Sequence, residues 1–334
     1  MPFRRRSVRL RKPVGRRSVT LAIGGIIAVA ASCTLQDSSK GADSANVVTG
    51  ATGSRARGWN PETWRPPVVD STPDDPFEVS VFRGLSIITH VHDSLPAYTN
   101  SNLNCTSCHL DEGRRGNAAP LVGVFARFPK YMDRSNAVVP IEDRINYCFT
   151  RSLAGSKLPA DSREMQDIVA YLAYISRGVP NGEHVKDEGM AKMPPMTGDS
   201  ARGRTVFVDN CARCHGNNGG GMGPIPALWG PRSFSIGASM ARVERAASFI
   251  RHNMPWDRPG TLTDAQAYDV AAYITSLPRP DSPGKETDWP QGGAPADVPY
   301  GTKGHKAFHP PKLIPRTTNP SAAIVAAPAS VLRR

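Results

Sequence analysis

Two short stretches of this 334-residue sequence have the residue types and spacing for covalent cofactor chemistry: Cys105-Thr-Ser-Cys108-His109 and Cys211-Ala-Arg-Cys214-His215. In each C-x-x-C-H segment the two thiols can form thioether bonds to one porphyrin, and the adjoining imidazole can reach its iron. Two such segments call for two covalently bound haem c groups, held by Cys105, Cys108 and His109 and by Cys211, Cys214 and His215. Counting 39 residues beyond His215 reaches Met254, and the same count beyond His109 reaches Cys148. The expected iron ligands are therefore His109 with Cys148 and His215 with Met254. A thioether raises a haem potential and a thiolate lowers it, so electrons would run from the first haem to the second. The alternative for each distal residue is a place in the core, which is the usual fate of a buried cysteine. His90 and His92 are reserve ligands, better read as helix-surface histidines.

Cysteine at an iron position adds something a carrier does not need, because a thiolate is also a nucleophile. If residues 141–153 are helical, Arg144, Cys148 and Ser152 lie along one stripe at i, i+4 and i+8. A guanidinium and a hydroxyl beside a thiolate suit a small oxyanion, since arginine offers paired donors and a permanent charge. Arg134 and Arg151 are further anion ligands by type. Their alternative is a propionate partner or a solvated charge.

These residues need helices to hold them, and the pattern supplies a repeated set. An apolar periodicity starts near Phe77 and runs through Val81, Leu85, Ile88 and Val91 to a stop at Pro96. A second helix spans about Ser162 to Ser176. The plan recurs with Ser200 to Cys211 before the second haem segment and Thr263 to Leu277 after it. Val169-Ala170-Tyr171-Leu172 and Ala271-Ala272-Tyr273-Ile274 occupy matching places. The expected fold is all-α: two cytochrome c-like domains at 77–180 and 199–281, each with one covalent haem, joined by a linker at 181–198.

The ends read differently. Residues 1–32 carry eight basic residues followed by the apolar stretch Leu21 to Ala31, the pattern of an export signal. That stretch is short for a membrane span. Val29-Ala30-Ala31-Ser32-Cys33 resembles a lipoprotein cleavage box, which would make Cys33 a lipid anchor; ordinary cleavage near Ala31 is the alternative. The expected location is the periplasm. Residues 33–76 read as a flexible arm, and 282–334 as a Pro-rich segment partly wrapping the domains through Trp289, Tyr300, Phe308 and Leu313. Removing the eight basic residues before Cys33, which have no acidic residue among them, lowers the formal charge from +12 to +4. That balance does not support nucleic-acid binding. With four cysteines in the haem segments, Cys33 and Cys148 are left over, which is no disulfide framework, although a bridge between the two stays formally open.

Over roughly residues 77–315 the chain resembles the dihaem thiosulfate dehydrogenases (thiosulfate:tetrathionate oxidoreductases), relatives of the sulfur-oxidising SoxA cytochromes. The resemblance is carried by Cys105–His109, Arg144-Ile-Asn-Tyr-Cys148-Phe-Thr-Arg151-Ser152, Leu158-Pro159 leading to Glu164-Met165, Cys211–His215 and His252-Asn253-Met254-Pro255. Asp288-Trp289-Pro290 and Val298-Pro299-Tyr300 also look family-like. It implies that two thiosulfates are joined to tetrathionate at the first haem, with electrons leaving through the second to an external acceptor such as a cytochrome. It further implies that Cys148 is both ligand and covalent sulfur acceptor, and that Arg134, Arg144 and Ser152 line the anion site. Some relatives have lysine just before the methionine and exchange the two as ligands; Asn253 here implies stable Met254 ligation. The same site can run in reverse as a tetrathionate reductase. The rival readings are a non-catalytic dihaem electron carrier, a SoxA-like subunit of a sulfur-oxidation complex and, less favoured, a dihaem peroxidase.

Overall fold

The computed structural model describes residues 58–69 and 73–316. The export segment and Cys33 lie outside these residues, as does the end of the chain from 317.

The first repeat begins with α1 (Pro76–Thr89), whose N-cap Asp75 accepts from the Glu78 N–H at 2.8 Å. A short α2 (Val91–Ser94) follows and leads to the first haem segment. Next come a hairpin of β1 (Lys130–Met132) and β2 (Ala137–Val139), then α3 (Ile141–Tyr147) and α4 (Arg163–Tyr174). The second repeat has α5 (Ser200–Asn210), α6 (Ala212–His215), α7 (Val243–Asn253) and α8 (Asp264–Ser276). Thr263 and Gln266 close a reciprocal cap on α8. After it, β3 (Arg279–Pro280) pairs in parallel with β4 (Leu313–Ile314). Helices dominate as expected; the two small ladders and α7 are additions that short, mixed-polarity segments do not announce.

The two repeats share one crossing. Gly84 of α1 lies against the Asp167 backbone of α4, and Gly203 of α5 lies against the Asp269 backbone of α8. A Cβ built on either glycine would stand about 2 Å from the facing carbonyl oxygen. Beside each glycine an arginine pairs with the same aspartate, Arg83 with Asp167 at 2.6 Å and Arg202 with Asp269 at 2.7 Å. Tyr171 and Tyr273 fall one turn further along. The Arg-Gly and Asp-x-x-x-Tyr pairs are thus one device used twice, letting the terminal helices touch backbone to backbone. Gly203→Ala is therefore expected to cost about 1–3 kcal/mol by overpacking, read as a lowered Tm of the second domain with its haem spectrum as reporter.

The first core gathers Val81, Ile88, Phe149, Met165, Tyr171 and Leu172, and the second Phe207, Ala246, Ala247, Ala267 and Ala271. The repeats are not two beads. Phe234, Ala238 and Ala241, from the loop after the second haem segment, belong to the first core. Residues 58–69, read from sequence as flexible arm, pack on that core instead: Trp59 and Trp64 touch it, and the Trp64 indole N–H donates to the Arg177 carbonyl at 3.1 Å. Two half-buried indoles override a Pro- and Gly-rich composition. The 181–198 connection is likewise pinned, with Asn117 and Ala119 N–H groups donating to the Asp187 and Gly189 carbonyls at 2.9 and 2.7 Å. No helix among the described residues is long and apolar enough to cross a membrane.

Candidate active site

Cys148 stands where α3 changes pitch. Residues 141–147 are α-helical, and Cys148–Ser152 form one π-turn in which the Leu153 N–H donates to the Cys148 carbonyl, five residues back, at 2.9 Å. The register on the near side survives: Arg144 Nη1 donates to Cys148 Sγ at 3.2 Å. Beyond Cys148 the half-buried Ser152 lies on the π-turn, where α-helical spacing no longer applies.

Cys148 is half-buried, and the packing around its thiol would by itself push its pKa up. The Arg144 charge and the hydrogen-bonding, positively polarised His109 imidazole outweigh that and bring it down to about 6. The motif thiols behave in the opposite way. Burial first, and the neighbouring Cys148 charge second, push Cys105 and Cys108 up to about 12. One site thus holds three cysteines of which Cys148 alone is set up as a thiolate. No disulfide joins the described cysteines.

Both motif histidines are oriented from behind. His109 Nδ1 donates to the Ala119 carbonyl at 2.5 Å and His215 Nδ1 to the Pro226 carbonyl at 3.0 Å. A carbonyl can only accept, so each ring carries a proton on Nδ1 and leaves Nε2 for a second partner; the neutral ring, with its lone pair there, is the form that could ligate iron. Burial lowers the His215 pKa further toward this neutral form. Cys211, Cys214, His215 and Met254 line one cavity of about 600 Å³, walled by Phe207, Leu228, Phe249, Ile250, Val270 and Ile274. Free thiols, an oriented imidazole and a thioether around an apolar cavity fit haem c. Among the described residues no cluster of three or more His, Cys, Asp or Glu side chains could hold a bare metal ion.

The cavity wall includes Leu103, Ser107, Cys108 and Leu110, so the second crevice backs onto the first haem segment. Met254 also packs with Leu110, Ala118 and Phe249, a small cluster spanning both repeats. Asn253 is buried, and its amide donates to the Phe249 carbonyl at 3.1 Å and to the Asn117 carbonyl of the first repeat at 3.4 Å. Trp256, two residues beyond Met254, faces outward. It is 61% exposed at the cavity edge, under the Arg115 guanidinium at 5.1 Å.

The remaining arginines meet elsewhere. Arg134, in the turn of the β1–β2 hairpin, donates to Asp288 from Nε and Nη2 at 2.9 and 2.8 Å, to the Gly237 carbonyl at 2.8 Å and to the Tyr300 hydroxyl at 2.5 Å. Its guanidinium lies 4.9 Å from the Trp289 ring. Arg151 donates to the other Asp288 oxygen at 2.7 Å and stacks on Tyr147. The structure therefore brings Arg134 and Arg151 together through Asp288 of the C-terminal segment, while Arg144 is the arginine on the sulfur. Asp288, with Trp289 and Tyr300, was visible in the sequence only as a family-like phrase; nothing there says that one carboxylate serves two arginines. Asp288→Asn leaves two largely buried cations facing each other. It is expected to destabilise the protein by about 3–5 kcal/mol, measured by denaturant unfolding of the haem-loaded protein.

The comparisons with known proteins agree with this layout. A SoxA/TsdA cytochrome c domain model matches residues 97–181 and a cytochrome c model matches residues 200–278. The thiosulfate dehydrogenase of Psychrobacter arcticus is 38% identical over 261 residues, covering 76% of this chain and 80% of the relative. That of Stutzerimonas stutzeri is 33% identical, with 79% and 85% covered. Among solved structures, thiosulfate dehydrogenase (TsdBA) from Marichromatium purpuratum in its as-isolated form superposes with a TM-score of 0.66 at 29% identity; the alignment covers 71% of this chain and 55% of that one. With two cytochrome c domains and relatives this similar over most of their length, the chain belongs to the thiosulfate dehydrogenase family.

Proposed function

We propose that the protein oxidises two thiosulfate ions to one tetrathionate at the Cys148 site and passes the two electrons through the second domain to an external one-electron acceptor. The observation that carries this reading is the Arg144 guanidinium 3.2 Å from a Cys148 sulfur held as thiolate. A thiolate with a fixed cation at hydrogen-bond distance would be joined to the sulfane sulfur of one thiosulfate as two electrons leave, while the sulfonate end meets positive charge, and the second thiosulfate would then displace the thiolate to close tetrathionate. Joining two S₂O₃²⁻ ions forms one sulfur–sulfur bond, breaks none and releases two electrons. Haem c, when bound, supplies the one-electron redox couples. The chain's own part is to orient His109 and His215 by their Nδ1 bonds, to hold Cys148 ionised and to keep the two crevices back to back for short electron transfer.

In this reading His109 and Cys148 ligate the first iron and His215 and Met254 the second. Ser152 and Arg134 act from further out, Arg134 through the charge it shares with Arg151 and Asp288. The basic-then-apolar start of the chain favours export to the periplasm, with Cys33 available for lipidation and a cytochrome as acceptor. The test is steady-state reduction of a one-electron acceptor by thiosulfate alone, with tetrathionate quantified. One tetrathionate per two electrons supports the reading. No turnover without a sulfur-carrier partner would assign the chain to the SoxA-like alternative.

A further inference from the structure

Arg316, half-buried, directs all three of its guanidinium nitrogens at backbone carbonyls. Nε donates to the Asp281 carbonyl at 2.9 Å, Nη1 to that of Gly155 at 2.9 Å and Nη2 to that of Thr150. The β3–β4 ladder brings it there, with the Asp281 N–H donating to the Ile314 carbonyl at 3.1 Å. Thr150 lies inside the π-turn that begins at Cys148, and Gly155 lies just past its end. One C-terminal side chain thus grips that turn across separations of 166 and 161 residues.

The turn has a gap that this guanidinium fills. In a continuous α-helix the Thr150 carbonyl would accept from the Ala154 N–H. Here the Ala154 N–H turns to the Arg151 carbonyl at 3.4 Å and the Gly155 N–H to the Phe149 carbonyl at 2.8 Å, which leaves the Thr150 carbonyl no backbone donor among the described residues. Ala154 also holds φ at 51°, the left-handed region that a Cβ disfavours. A wide turn with an open carbonyl and a strained exit persists only where its surroundings hold it. Neighbouring backbone does part of this: the Asn100 and Ser101 N–H groups donate to the Leu153 carbonyl at 3.1 and 3.2 Å, and the Ser235 N–H to the Arg151 carbonyl at 3.2 Å. The Thr150 carbonyl is left to Arg316. Resting on thiosulfate oxidation at the Cys148 site with Ser152 facing the anion, we propose that Arg316 is a positioning residue that locks the π form of the Cys148–Ser152 turn and so fixes where Ser152 stands relative to the Cys148 sulfur. Arg144 precedes the turn on regular α-helix, so its hold on the sulfur does not depend on the lock. Arg316 therefore governs how the substrate anion is received and leaves the ionisation of the thiolate to Arg144.

The test compares Arg316→Gln with the wild type, both haem-loaded, by two measurements. In steady-state reduction of a one-electron acceptor, KM for thiosulfate is expected to rise about tenfold, with kcat and the acid limb of the pH profile nearly unchanged. In hydrogen exchange followed by mass spectrometry, peptides covering 149–155 are expected to exchange about tenfold faster, while those of α4 and α8 keep their wild-type rates. Arg316→Lys keeps the charge but offers one nitrogen to carbonyls that the guanidinium meets with three, and is expected to fall between the two proteins in both measurements. Unchanged exchange over 149–155 overturns the proposal, and so does an unchanged KM in a wild type that turns over thiosulfate. Faster exchange spread evenly over α4 and α8 also overturns it, assigning Arg316 to overall stability. Should Arg316→Gln not accumulate, the lysine variant decides by the same criteria. A wild type without thiosulfate turnover defeats the reading of the site, and exchange over 149–155 still decides whether Arg316 locks the turn.

Discussion

Replacing Cys148 by glycine is expected to abolish thiosulfate-dependent reduction of a one-electron acceptor, by about 10³-fold or more in kcat, with both haems still attached. The attachment thiols are Cys105, Cys108, Cys211 and Cys214, none of which the substitution touches. The loss follows from the asymmetry of the first site. Cys105 and Cys108 are taken up in thioether bonds once haem is attached, and Cys148 is the sulfur left free there and poised as thiolate, so no neighbour can take over as sulfur acceptor. Haem content by pyridine haemochrome and turnover with ferricyanide separate a lost reaction from a lost cofactor. Full activity in Cys148→Gly would sink the mechanism and favour an electron-carrier role.

The second large effect concerns Arg144. Its Nη1 is the donor on the sulfur, and its charge is the largest influence lowering the Cys148 pKa. Arg144→Gln removes the charge at similar length, and kcat/KM for thiosulfate is expected to fall about 10²-fold, equivalent to about 2.7 kcal/mol. The sign of the pH effect follows from the thiolate. Cys148 is ionised above its pKa, which Arg144 holds near 6, so losing the arginine moves the acid limb of the rate profile to higher pH. Arg144→Lys should recover part of the loss, because lysine restores the charge but not the planar fork. An unchanged pH profile in Arg144→Gln would mean that the guanidinium serves packing alone.

The stripe of Arg144, Cys148 and Ser152 follows α-helical spacing for one turn. Residues i and i+4 meet on any α-helix, and Arg144 and Cys148 do. Ser152, one further turn on, is reached through a π-turn that begins at Cys148 itself, so α-helical spacing does not place it. No residue type in Cys-Phe-Thr-Arg-Ser announces that change. The crossing device is a case between the two extremes. Its Arg-Gly and Asp-x-x-x-Tyr pairs are present in the sequence in both repeats, and only the helix contact shows that they belong together.

The amino-acid sequence by itself determined the two haem segments, the equal 39-residue spacings and the helix pairs. Attachment chemistry needs its thiols and imidazole contiguous, and an amphipathic helix must repeat with its own pitch. Tertiary structure decided which charges meet. Asp288 binds Arg134 and Arg151 across separations of 154 and 137 residues, and Arg279 is buried with no acid beside it. Burial and pairing are set by what the rest of the chain packs around a side chain, which no local spacing encodes. The haem segments are equal as motifs; the surroundings folded against them leave one with a poised thiolate and the other with a thioether in an apolar cavity.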